Sequence, residues 1–183
     1  MSATFIDYTI KMKFKICCFL LLMAITAGWA GAQKRVTLSA AELDNLIGCW
    51  QGTLTYSGTI IRKPYSTKAD LIVKRIGQTK SFELVHVYSA DANDHTYDTL
   101  NLSTNGRKFE GATIISKKTT PKGTLVIVTQ GDGFDHDINQ QVLIRKSYTI
   151  CKRSYRYTMK IKGKGQGEWM DREAFSYAKK ICG

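Results

Sequence analysis

The sequence predicts an all-β protein, an antiparallel up-and-down barrel of about eight or nine strands preceded by one short helix. Two observations predict this fold. Apolar and polar residues alternate through most of the chain after Gly48, and the alternating segments are separated by short turn sequences such as Asn105-Gly106. A period of two is typical of a strand with one buried and one solvated face. Short connections favour antiparallel neighbours, and closing the sheet into a barrel removes its exposed edges.

Length and composition agree with one folded domain. The chain has 183 residues, of which 43% are hydrophobic and 23% charged. This composition excludes a disordered tail, a collagen-like repeat and a polytopic membrane protein. The 27 Lys and Arg residues against 15 Asp and Glu residues give a net charge of +12, so the protein is basic.

The N-terminal 32 residues have the layout of a secretory signal peptide. Lys11, Lys13 and Lys15 precede an uncharged segment with its apolar centre at 16–25, which ends in the small residues Ala30-Gly31-Ala32. An uncleaved anchor is the alternative, but a membrane-spanning helix needs about 20 apolar residues. We therefore expect export to the periplasm or the medium, with membrane contact only during export.

This interpretation fixes the expected domain boundaries. Residues 1–32 are the signal peptide, with 1–11 as an extra N-terminal extension if translation starts at Met12, and residues 33–183 are a single barrel domain.

The first predicted element of the mature chain is a short helix. Ser39 and Glu42 have the spacing of a capping box, in which both side chains bind free backbone amides at a helix start. Leu43, Leu46 and Ile47 then form an apolar stripe, and Gly48 ends the helix.

The alternating pattern then predicts nine strands. They lie at 49–56, 68–74, 80–88, 96–103, 108–116, 124–128, 141–150, 154–162 and 168–178. The alternation is cleanest in the eighth, where Tyr155, Tyr157 and Met159 share the apolar face.

The segment from Gly48 to Tyr56, Gly-Cys-Trp-Gln-Gly-Thr-Leu-Thr-Tyr, is similar to the opening strand of lipocalins. It resembles in particular the small secreted lipocalin-like proteins of bacteria, most of which have no assigned activity. The resemblance implies that Gly48 and Trp50 are structural and that Trp50 closes one end of the barrel. It also implies a basic residue packed over Trp50, and Arg172 is the candidate for this cation–π contact.

Three cysteines, Cys49, Cys151 and Cys182, remain after the signal peptide. An odd number in an oxidising compartment suggests one disulfide and one free thiol. The register of the last predicted hairpin brings Cys151 near Cys182, so this pair is the first prediction, with Cys49 left as a buried thiol. The alternative, Cys49–Cys182, requires the first and last strands to meet through barrel closure.

One acidic segment resembles the start of a calcium-binding loop. Asp135, Asp137 and Asn139 have the spacing that opens an EF-hand loop, but the sequence has Gln140 and Lys146 where that loop needs Gly and Glu. A solvated hairpin loop is the favoured interpretation.

The remaining chemistry-bearing residues predict no catalytic site, metal site or cofactor. His86, His95 and His136 are scattered and lack paired metal-ligand spacing. Asp171 and Glu173 have same-face spacing on the last strand, but neighbouring basic residues make ordinary ion pairing the simpler role.

Basic residues cluster around the eighth predicted strand. If they share its outer face, they form a positive stripe that attracts polyanions or membrane headgroups, although an ordinary solvated exterior is the favoured interpretation. The residues are Lys152, Arg153, Arg156, Lys160, Lys162 and Lys164. The tyrosines of this strand point the other way, which argues against base stacking and specific nucleic-acid binding.

The predicted function is therefore an exported, non-catalytic binding protein that holds a small apolar ligand inside the barrel. The predicted ligand-binding residues are Trp50, Tyr56, Tyr155, Tyr157 and Met159. The alternative is a filled barrel that binds a protein or a polyanionic envelope partner through its basic surface or loops, as an inhibitor or a structural protein. The interior volume separates the two, since small-molecule sites usually exceed roughly 300 Å³.

Overall fold

The computed structural model describes residues 35–58, 64–88, 95–165 and 167–182. The predicted signal peptide lies outside these residues. The described chain forms a short 3₁₀ helix, Ala41–Leu46, and ten strands. The strands are β1 Gly48–Tyr56, β2 Tyr65–Arg75, β3 Ser81–Tyr88, β4 His95–Asn101, β5 Lys108–Phe109, β6 Ala112–Thr119, β7 Leu125–Asp135, β8 Gln140–Ile150, β9 Ser154–Gly163 and β10 Met170–Lys180.

All the strands belong to one antiparallel sheet that curls into a nearly closed up-and-down barrel. The strand order is β4-β3-β2-β1-β10-β9-β8-β7-β6-β5, so the first and last strands are neighbours. The predicted fold class is confirmed. The predicted fifth strand, 108–116, is two strands, because Glu110 and Gly111 both adopt positive φ angles and turn the chain between β5 and β6.

The two ends of the sheet, β4 and β5, meet only briefly. Leu102 and Phe109 form an isolated bridge across the predicted Asn105-Gly106 turn. The amide of Glu110 also donates to the carbonyl of Asn101 at 2.8 Å. Beyond these residues, no described strand pairing joins β4 to β6. The barrel wall is therefore incomplete on this side.

The short helix covers one end of the barrel. Its predicted capping box forms, with the Ser39 amide donating to Glu42 Oε2 at 2.9 Å. Leu43 and Leu46 are buried, and the indole of Trp50 donates to the Leu46 carbonyl at 2.8 Å. Ile47, the third residue of the predicted stripe, is exposed instead. No helix in the described ranges has the length and apolar composition needed to cross a membrane.

The barrel interior is filled over most of its length by the inward-facing residues of every long strand. The core includes Leu71, Val73, Phe82, Phe109, Ile127, Tyr148, Ile150, Tyr155 and Tyr177. These positions alternate with half-buried or exposed residues along the strands, as a period of two requires.

The first predicted disulfide, Cys151–Cys182, is wrong. Cys49 and Cys182 form the bond, with their Cα atoms 5.2 Å apart, and Cys151 is a free, half-buried thiol. Barrel closure explains the difference, because Cys49 pairs in register with Lys180 and so lies beside the end of β10. Cys151 instead lies in the turn between β8 and β9, where its sulfur is 2.9 Å from Ser154 Oγ.

Candidate functional site

A cavity of about 220 Å³ lies inside the barrel beside the incomplete wall. Its walls come from β3, β4, β8, β9, β10 and the turn between β5 and β6. The lining includes charged, polar and aromatic side chains. They are His86, Asp98, Glu110, Lys146, Glu173 and Phe175, together with Tyr148, Tyr155 and Tyr157. Thr96 and Tyr97 of β4, which are exposed, form its rim.

One carboxylate of the cavity is already neutralised. Glu110 Oε2 is 2.7 Å from Lys146 Nζ and accepts a hydrogen bond of 2.6 Å from the hydroxyl of Tyr148. The Glu110 side chain enters the cavity because the backbone turns at this residue. Burial, followed by the nearby charge of Glu110, raises the pKa of Tyr148, so its hydroxyl stays protonated and donates this bond.

A second carboxylate, Glu173, is placed by a bulge in β10. The pairing of β10 with β9 shifts between Asp171 and Glu173, so the two carboxylates do not share a face. Asp171 is exposed and pairs with Lys160 at 3.1 Å. Glu173 lines the cavity, where burial raises its pKa; Lys146 opposes that shift, and Glu110 and Asp98 add to it.

His86 is an uncharged polar residue of the cavity wall. Its Nδ1 lies 3.3 Å from the Tyr177 hydroxyl, and its ring is 5.2 Å from that of Phe175. Desolvation lowers the pKa of His86, and the opposing effect of Asp98 is smaller, so the imidazole is uncharged at neutral pH.

The aromatic walls are packed tightly against one another. The Tyr148 and Tyr157 ring centroids are 5.3 Å apart, and those of Tyr157 and Phe175 are 5.6 Å apart. Burial raises the pKa of Tyr157 far above its ordinary value, and Glu173 and Glu110 add to this effect. The tyrosines are therefore neutral at any physiological pH, and they form part of the cavity wall.

The predicted ligand-binding residues divide into two groups. Tyr155 and Tyr157 are buried and line the cavity. Trp50 is fully buried in the core, Met159 packs against that core, and Tyr56 donates to Asp137 Oδ2 at 2.7 Å, so these three are not part of the cavity lining.

The predicted contact of Arg172 with Trp50 is wrong. Lys179 Nζ lies over the Trp50 ring, 4.5 Å from its centroid. Arg172 is buried further along β10, where it forms a salt bridge with Asp135 and lies 3.0 Å from Asp137 Oδ2. Trp50 pairs in register with Lys179, so Arg172 lies seven residues away along β10, and the buried Asp135 supplies a partner that sequence spacing did not reveal.

The predicted solvated loop is therefore partly buried. Asp135 has 9% of its surface exposed, and its Oδ1 also accepts the amides of Asp137 and Ile138. The contacts of Asp135 and Asp137 with other protein groups thus occupy the carboxylates that would have to bind calcium. Within the described residues, no three metal-ligating side chains converge.

The ligand-binding residues predicted from the sequence do not include the charged cavity residues, although the alternation within each strand marks their positions. Asp98, Lys146 and Glu173 lie two residues from the inward-facing Leu100, Tyr148 and Phe175 in their strands. A charged residue at an inward position of a barrel strand is therefore the pattern that identifies this site.

Comparison with known proteins supports the fold. No protein-family model and no curated protein sequence matches the chain. Eleven chains of solved structure match it. It is similar to Rv2717c from M. tuberculosis, with a TM-score of 0.54 and 15% identity over 79% of this chain and 99% of that one.

The chain also matches a protein of unknown function from the DUF3598 family of Nostoc punctiforme. The TM-score is 0.41 and the identity 13%, over 80% of this chain and 51% of that protein, so this chain spans about half its length. Neither name assigns an activity, and at these identities the likeness concerns the fold alone.

Proposed function

We propose that the protein is a non-catalytic, lipocalin-like binding protein that holds one small ligand in the barrel cavity. The cavity itself carries this proposal. A barrel of this size has an interior that side chains can fill completely, yet about 220 Å³ remains open beside β4. Aromatic walls with a few convergent polar groups are typical of small-molecule sites.

The volume sets the size of the ligand. Sites for drug-sized molecules usually begin at roughly 300 Å³, and this cavity is smaller. A compact molecule of one ring and a short substituent suits it better than a long lipid chain. We propose binding as the role of this site because its lining offers rings and carboxylates that can recognise a ligand.

Export is part of the same proposal. The Cys49–Cys182 disulfide supports it, because disulfides persist mainly in oxidising compartments outside the cytosol.

Occupation of the cavity is tested by blocking its rim. Benzyl alcohol, a neutral one-ring probe, is titrated into the protein while amide signals are followed by NMR. We expect saturable shifts in β4 and β10, and Thr96→Trp should weaken binding at least about tenfold because the indole covers the mouth. Thr99→Trp, at an exposed outward position of the same strand, should bind like the parent.

The result that contradicts the proposal is equally clear. If neither benzyl alcohol nor its ammonium analogue benzylamine produces a saturable shift, or if both tryptophan variants weaken binding equally, the cavity is not a ligand site.

A second candidate function uses the outer face of β9. Arg156 and Lys160 are exposed there, opposite the buried Tyr155 and Tyr157, as predicted for a positive stripe. Lys160 is paired with Asp171, which reduces the free charge of this face. Retention on heparin at physiological salt, together with no binding of benzyl alcohol, is the outcome that favours this candidate.

A further inference from the structure

The cavity is acidic although the protein is basic. Three carboxylates, those of Asp98, Glu110 and Glu173, line it together with a single lysine, Lys146. Glu110 already pairs with that lysine. Two carboxylates, that of Asp98, which is exposed, and that of Glu173, therefore remain without an ion-pair partner among the described residues, in a chain whose net charge is +12.

Glu173 is the carboxylate best placed to meet a ligand. Its carboxylate makes no hydrogen bond or ion pair with any described residue. Glu173 is half-buried, and a carboxylate that is partly removed from water is stabilised by a cation beside it. The charged and titratable groups that face it are Lys146, Glu110, Asp98, the neutral His86 and the cavity tyrosines.

The remaining walls are aromatic rings. The tilted rings of Tyr157 and Phe175 line the same cavity as Glu173, and Tyr155 and Tyr148 continue this aromatic wall. The face of an aromatic ring attracts a cation within about 6 Å of its centroid, and the attraction is stronger where water is excluded. Rings and an unpaired carboxylate thus offer complementary contacts to one class of molecule.

We infer that the ligand of this cavity is a small organic cation, an ammonium group on a compact apolar body, with Glu173 as its ion-pair partner. This inference rests on the proposed function. An anionic ligand would be repelled by the two unneutralised carboxylates, and a neutral ligand would leave the charge of Glu173 uncompensated.

The pH dependence follows from the same contacts. Burial raises the pKa of Glu173, so part of the population is protonated at mildly acidic pH. A cation binds the ionised form better, so its affinity should rise with pH until Glu173 is fully ionised. The affinity of a neutral probe should not rise in this way.

The test compares two probes of nearly equal shape. Benzylamine carries an ammonium group at neutral pH where benzyl alcohol carries a hydroxyl. We expect the protein to bind benzylammonium about tenfold more tightly, a difference of about 1.4 kcal/mol. Glu173→Gln should reduce this preference to about twofold or less, and its retained binding of benzyl alcohol reports that the variant is folded.

Glu83→Gln is the matched control. It removes the same charge from β3, one residue from the cavity-lining Leu84, at a position that does not line the cavity. This variant should keep the tenfold preference.

Each other outcome is decisive. Equal binding of the two probes overturns the cation inference and leaves the proposed function standing. Equal loss of preference in Glu173→Gln and Glu83→Gln also overturns it, since the effect is then one of net charge. Binding of neither probe overturns the proposed function, and the inference fails with it.

Discussion

Arg172 shows how one buried charge organises an end of the barrel. Its Nε donates to Asp135 Oδ2 at 2.7 Å, and its Nη1 donates to the Ser57 carbonyl at 3.2 Å. The side chain is 3% exposed and that of Asp135 is 8% exposed. Such a pair is costly to break, because removing one partner leaves the other charge buried and unpaired. The contact fixes the turn between β7 and β8 against β10.

Asp135→Asn should therefore destabilise the protein by about 3 kcal/mol at neutral pH. Burial alone would raise the pKa of Asp135, but hydrogen bonds from Arg172 and from the Ile138 and Asp137 amides hold it below its ordinary value. A carboxyl with a lowered folded-state pKa stabilises above its unfolded pKa, about 3.9, and that contribution disappears as the pH falls through the folded value.

The measurement is urea unfolding of both proteins between pH 7 and pH 2. The stability difference should be largest above pH 5 and shrink toward acid. Asp132→Asn, at an exposed position of the same strand, should show no such difference. A difference for Asp135→Asn that is constant with pH contradicts the ion-pair explanation.

At the scale of elements, the paired strands β1 and β10 bring their backbones very close together. Gly52 lies opposite Tyr177, and a Cβ atom at Gly52 would be 1.9 Å from the Ser176 carbonyl oxygen. The obstacle is backbone, which cannot rotate away as a flexible side chain does. The second glycine of the lipocalin-like opening sequence is thus required by the approach of the last strand.

Gly52→Ala should destabilise the protein by about 1–3 kcal/mol or more, because β1 and β10 must separate to admit the methyl group. Gly167→Ala is the control, since nothing lies within 4 Å of that added Cβ, and it should change stability by less than about 0.5 kcal/mol. Thermal unfolding followed by circular dichroism compares them. Equal stability of the two variants would show that β10 moves away from β1 at little cost in free energy.

At the scale of the whole molecule, the disulfide ties the first strand of the barrel to the segment after the last. It joins Cys49 at the start of β1 to Cys182 after β10, across 133 residues of sequence. A bond over so long a segment restricts the unfolded chain strongly, by about 5 kcal/mol in the chain-entropy model, although measured values are more often about 2–4 kcal/mol. It therefore stabilises the closure that β1 and β10 already form.

Cys182→Ser should lower the free energy of unfolding by about 2–4 kcal/mol. Reducing agent should destabilise the parent by a similar amount and leave Cys182→Ser unchanged. Cys151→Ser should retain the full stability and the full response to reductant, since this thiol is free. Loss of the response in Cys151→Ser, with retention in Cys182→Ser, contradicts the observed pairing.

The alternation of side chains determined much of this protein from sequence alone. A strand must place successive residues on opposite faces, so the buried positions of Tyr155 and Tyr157, the antiparallel sheet and the capped helix follow from local pattern. The same pattern marks Lys146 and Glu173 as inward-facing, because they share the parity of Tyr148 and Phe175.

Tertiary structure alone decided which distant residues meet. A local pattern does not predict three features: the Cys49–Cys182 bond, the Arg172–Asp135 pair and the cavity beside β4. The bond depends on the pairing of β1 with β10, and the positions of the cavity carboxylates depend on the bulge before Glu173 and on the turn at Glu110. Closure and bulges are set by the packing energy of the whole barrel, which no short segment of the sequence contains.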